Sequence, residues 1–62
     1  MNKQYLEYTS KAHRLLAQSY EMDAEAYRST GEDDKVEFYV GLAKSAHKNA
    51  DSYESMVASY DE

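Results

Sequence analysis

Tyr27-Arg28-Ser29-Thr30-Gly31-Glu32-Asp33-Asp34 interrupts an otherwise helical sequence near the midpoint of a 62-residue chain. Gly31 suits a left-handed C-cap, because glycine takes positive φ without a Cβ penalty. Thr30 with Asp33 three residues on, and Asp34 with Glu37, are two candidate N-terminal caps for a second helix. The run Glu32-Asp33-Asp34 suits the positive end of a helix dipole. The stretch therefore stops one helix and starts another. The expected organisation is one domain, with helix 1 over about 3–29, a turn over about 30–33 and helix 2 over about 34–60.

Outward from the turn, each arm carries an apolar stripe at helical spacing. With successive residues at 100°, one side of helix 1 gathers Tyr5, Tyr8, Ala12, Leu15, Leu16, Tyr20, Met22, Ala26 and Tyr27. Its other side holds Lys3, Glu7, Lys11, Arg14, Gln18, Glu21 and Glu25. The helix 2 stripe is Phe38, Tyr39, Leu42, Ala43, Ala46, Ala50, Tyr53, Met56, Val57 and Tyr60, with Asn49 among them. Ala12, Ser19 and Ala26 recur every seven residues, and small side chains let backbones approach. Leu6, Val36 and Val40 fall off both stripes and read as exposed. Two arms of equal length joined by a short turn predict an all-α, antiparallel two-helix hairpin with coiled-coil packing.

Seven tyrosines, no cysteine, no tryptophan and no proline mark the composition. A chain this short buries only about 60% of its unfolded surface, and without cysteine it has no disulfide to help. Self-association is the ordinary remedy. The helix 1 stripe is also wider than one partner helix can cover. The expectation is a homodimer, a four-helix bundle packed through Tyr5, Tyr8, Ala12, Leu15, Leu16, Tyr20, Tyr27, Tyr39, Leu42, Ala46, Tyr53, Met56 and Tyr60. Charge favours an antiparallel arrangement. Residues 1–20 carry +2, residues 21–34 carry -5 and residues 35–62 carry -2. Lys3, Lys11 and Arg14 would then approach Glu21, Glu25 and the turn acids of the other subunit.

Length, turn position and this arrangement resemble the Rop-type plasmid copy-number regulators. The opening Met1-Asn2-Lys3-Gln4 and the face of Lys3, Lys11, Arg14 and Gln18 carry the resemblance. It implies an antiparallel dimer of helical hairpins that binds paired RNA loops through that face. The chain departs from the pattern in its tyrosine-rich stripes and in Glu7, which interrupts the basic face. A second echo, Ala12-His13-Arg14 against Ala46-His47-Lys48, has the 34-residue spacing of a tetratricopeptide repeat. That leaves a minimal repeat-like scaffold as another reading.

Chemistry is sparsely represented. His13 and His47 are the only histidines, and His47 with Asp51 supplies two ligands where zinc needs three or four. No serine sits in a nucleophile motif, and Gly31 and Gly41 build no phosphate loop. No catalytic residue, cofactor, metal or small-molecule substrate is expected. A net charge of -5 opposes phosphate binding, which disfavours nucleic acid. No apolar run reaches membrane-span length and the start lacks a signal-peptide core, so the default location is cytoplasmic. The leading expectation is a non-enzymatic interaction or regulatory module that binds itself and another protein. Its recognition residues would be Glu21, Glu25, Glu32, Asp33, Asp34 and Glu37, with Val36 and Val40 beside them, or the outer helix faces.

Overall fold

The computed structural model describes residues 2–60 as two α-helices, α1 (Lys3–Arg28) and α2 (Asp33–Tyr60), packed as an antiparallel hairpin. α1 contains one β-branched residue, Thr9, and no proline, so propensity is favourable throughout. Asn2 caps it, its Oδ1 accepting the Tyr5 N–H at 2.8 Å. At the other end the Glu32 N–H donates to the Tyr27 carbonyl and the Gly31 N–H to the Arg28 carbonyl. That pair of bonds is a Schellman motif, and Gly31 supplies the positive φ of 75° that it requires.

The start of α2 differs from both expected caps. The Glu32 carbonyl accepts from the Lys35 and Val36 N–H groups, each at 3.1 Å. The Thr30 hydroxyl lies between the Tyr27 carbonyl at 2.9 Å and the Glu32 carboxylate at 2.7 Å. Lys35 reaches the same carboxylate at 3.1 Å. Glu32 thus holds the turn together, while Asp33 and Asp34 lie in the first turn of α2 as dipole partners.

Burial reveals the seam between the helices. On α1 the buried residues are Leu6, Ser10, Ala17 and Ala24, with His13, Tyr20 and Tyr27 half-buried. On α2 they are Val36, Ala43, Ala46 and Ala50, with Tyr39, Tyr53 and Val57 half-buried. Both series step by three and four residues in strict alternation, the a/d pattern of a heptad. Ser10, Ala17 and Ala24 occupy a on α1, facing a d series of Leu6, His13, Tyr20 and Tyr27. On α2, Val36, Ala43, Ala50 and Val57 occupy a, and Tyr39, Ala46, Tyr53 and Tyr60 occupy d. The register set by the Ser10–Glu54 and Arg14–His47 bonds brings large residues level with small ones. Tyr20 comes level with Ala43, Tyr53 with Ser10, and Ala17 with Ala46 at the centre.

This seam corrects the helix 1 stripe. Within the hairpin Tyr5, Tyr8, Ala12, Leu15, Leu16, Met22 and Ala26 are exposed, and so are Phe38, Met56 and Tyr60 on α2. Leu6 and Val36, expected at the surface, are buried, and Val40 is half-buried. Asn49 is exposed. α1 carries two heptad series of small residues, 10/17/24 and 12/19/26. Closest approach uses the first, because its intervening d residues can stack across the seam. Tyr27 stacks on Tyr39 at 5.4 Å, Tyr20 leans on Tyr39 at 6.3 Å, and His13 stacks on Tyr53 at 5.4 Å.

The two glycines test opposite consequences of this geometry. Gly31→Ala should destabilise the hairpin by about 1–2 kcal/mol, the cost of a Cβ at left-handed φ. Gly41 lies inside α2 with open space around it. Gly41→Ala should stabilise by about 1 kcal/mol. Thermal melts of the two variants followed by helicity should move in opposite directions.

Candidate interaction surfaces

The heptad frame gives the hairpin two unlike flanks. Residues at e on both helices share one side, and those at g share the other.

The e flank is charged and crossed by contacts within the chain. Arg14 reaches across the seam from α1. Its Nη2 donates to Asp51 Oδ1 and to Glu54 Oε1, both at 2.8 Å. Its Nη1 lies 2.8 Å from His47 Nδ1. A guanidinium only donates, so His47 accepts at Nδ1 and carries its proton on Nε2. That Nε2 donates to Glu21 Oε1 at 3.2 Å. Ser10 adds a longer bond to Glu54 at 3.4 Å. Hydrogen bonds from Glu54 first, then Asp51, raise the Arg14 pKa above its already high ordinary value. Among the described residues, no group of three His, Asp or Glu side chains is arranged to hold a metal ion. The guanidinium occupies the space between the acids of this flank.

Arg14, assigned by sequence to an RNA face or to a partner subunit, is committed to α2 of its own chain. Lys11 and Gln18 are exposed beside it, and Lys11 lies over the Tyr8 ring at 5.8 Å. Lys3 is half-buried at the start of α1. Glu21 meets His47, Glu25 pairs with Arg28 and Glu32 pairs with Lys35. Asp33, Asp34 and Glu37 are exposed near the turn. The acids therefore do not form one free surface. Three of them are bonded within the chain, and Val36 is buried beneath them.

The g flank is nearly uncharged. On α1 it carries Thr9, Leu16 and Asp23 at g, with Tyr5, Ala12, Ser19 and Ala26 at the adjoining c positions. On α2 it carries Lys35, Leu42, Asn49 and Met56 at g, with Phe38, Ser45, Ser52 and Ser59 at c. Leu16 is 41% exposed, Met56 46% and Phe38 62%. Tyr8, Leu15 and Met22 extend the apolar surface along the outer edge of α1, all exposed. The aromatic d residues form its floor. Phe38 meets Tyr39 edge-on at 5.2 Å, and Tyr39 stacks on Tyr27. The phenol of Tyr39 has its pKa raised, first by Tyr27, then by burial and by Asp23. The sequence reading placed most of these apolar residues on packing stripes shared between the hairpin and a homodimer. No helix among the described residues is long and apolar enough to cross a membrane.

The chain matches no known family model, no curated protein and no solved structure.

Two outcomes are expected from the charged contacts. Arg14→Ala should lower the melting temperature by several degrees, leaving His47 Nδ1 and Asp51 without their cross-helix donor and Glu54 with Ser10 alone. Arg14→Lys should recover only part of the loss, because an ammonium cannot span three acceptors in a planar fork. An unchanged melt for Arg14→Ala would show that the network adds nothing to the seam.

The second outcome concerns acid. The Thr30 hydroxyl, then Lys35, holds the Glu32 pKa below the ordinary carboxylate value. A depressed folded-state pKa contributes stability above the unfolded value, lost as pH falls through the folded one. Helicity at the turn should therefore weaken on acidification below the ordinary carboxylate range. Thr30→Val should flatten that dependence, read as melting temperature against pH.

Proposed function

We propose that the chain is a non-enzymatic helical interaction module that docks through its g flank. The apolar surface of exposed Leu16 and Met56 and half-buried Leu42, bordered by exposed Tyr5 and Phe38, carries this reading. Apolar area of this extent is removed from water in most stable proteins, and large contiguous patches mark interaction sites. The repeating small residues at c favour a helical partner, because alanine and serine permit close helix approach. The opposite flank offers a partner less. Arg14, Asp51, Glu54, His47 and Glu21 are already paired across the seam there, and displacing them would strand charges. An RNA-binding role through the α1 polar face is less supported, since Arg14 is neutralised by Asp51 and Glu54.

A benzophenone side chain at Leu16 should photo-crosslink to a binding partner in the cell that makes the protein. The same group at Lys44, on the charged flank, should not. Crosslinking from Lys44 with none from Leu16 would reject the g flank as the docking surface.

A further inference from the structure

Resting on that reading, we infer that the occupant of the g flank is a second copy of this chain. The two copies are related by a two-fold axis perpendicular to the helices, so their turns lie at opposite ends of a four-helix bundle.

The area fits. Each helix is roughly 40 Å long, and two neighbouring helices present a strip roughly 20 Å wide. That gives about 800 Å² per chain, the share one partner buries in a standard stable interface. The hairpin alone also has a thin core. Among the described residues, five of the seven buried apolar ones are alanines, and no large side chain is fully buried. A second copy turns the half-buried tyrosines at d from a floor into an interior.

The register then selects the orientation. Leu16 lies within a residue of the middle of α1, and Asn49 within about one turn of the middle of α2. With the turns at the same end, α1 would face α2 of the mate at the same level. Leu16 would meet Asn49, and Asp23 would meet Leu42, each leaving a polar group desolvated against leucine. With the turns at opposite ends, each helix faces its own copy. Leu16 meets Leu16, and Leu42 meets Met56. Asn49 meets Asn49, whose amide donates and accepts and so pairs with itself. Asp23 comes level with Thr9, a hydroxyl in place of leucine. The same choice separates the two acidic turns by the length of the bundle instead of crowding Glu32, Asp33 and Asp34 together.

Sedimentation equilibrium of the full chain across a concentration series tests the inference, with helicity followed by circular dichroism. The expected result is a helical dimer of twice the 7.1 kDa chain mass. Leu16→Lys should weaken the dimer by roughly a hundredfold or more while helicity persists at high concentration. Met56→Lys, on the other helix, repeats the test should Leu16→Lys lose its helicity. Arg14→Ala, on the opposite flank, should leave the dimer intact. The chain has no cysteine of its own. Leu16→Cys should therefore oxidise cleanly to a covalent dimer across the axis, and Thr30→Cys in the turn should not.

A wild-type monomer at every concentration overturns the second-copy inference. The docking reading survives that result if benzophenone at Leu16 still crosslinks to a different protein, and fails with it if no crosslink forms. A dimer indifferent to both lysine substitutions overturns the face. A dimer that crosslinks through Thr30→Cys but not Leu16→Cys overturns the orientation.

Discussion

Close approach of two backbones at small residues is the constraint on which this hairpin depends. Ala17 and Ala46 come level at the centre of the seam, with Ser10, Ala24, Ala43 and Ala50 around them, all buried. Short side chains bring the helices near enough for Arg14 to reach three acceptors on α2. They also leave room at the neighbouring d positions for rings to stack across the gap. A leucine in place of Ala17 would separate the helices and weaken both sets of contacts at once. The alanines themselves contribute little burial, about 0.8 kcal/mol per methyl-sized group. Their larger effect is to set the spacing.

That spacing also makes the two flanks unlike. On the e side charged groups close over the seam and satisfy one another. On the g side the rings of Tyr20, Tyr39 and Tyr53 remain half-exposed beside leucine, methionine and small residues. A hairpin that buried its apolar residues equally on both sides would have no preferred face. Here the polar bonds concentrate on one flank, and the apolar surface is left on the other.

The fold was legible because local signals agreed. Gly31 marked the turn, the acidic run marked the start of α2, and apolar spacing marked both helices. The rotation of α1 was not legible from apolarity. Tyr5, Tyr8, Leu15 and Met22 are more hydrophobic than Ser10, Ala17 and Ala24, so a stripe drawn by hydropathy turns toward the larger set. Burial depends on which residues permit contact, and in this seam those are the small ones. The 10/17/24 series was visible as a heptad of Ser and Ala, but 12/19/26 has the same composition and period. Contact with the partner helix separates them. Leu6 carried a usable hint, because it continues the 10/17/24 register and not the other. Arg14 was legible as a cation but not as a bridge. Its partners lie 33 to 40 residues away and depend on the register between the helices.

The same geometry bears on charge. A chain of net -5 with Arg14 paired to two carboxylates and Arg28 to Glu25 has few cations left for phosphate. Lys44 and Lys48 stand exposed on α2, but exposed Glu37 and Asp51 lie within about two helical turns of them along α2. Acidic residues outnumber basic ones, and apart from Asp23 the described acids lie along the turn and the side that carries Arg14. That distribution keeps the g flank almost free of charge from the middle of the hairpin to its open end. Asp23 and Lys35 are its main charged members, both on the half nearer the turn. An apolar face with its charge confined to one end meets its own copy best when that end is turned away.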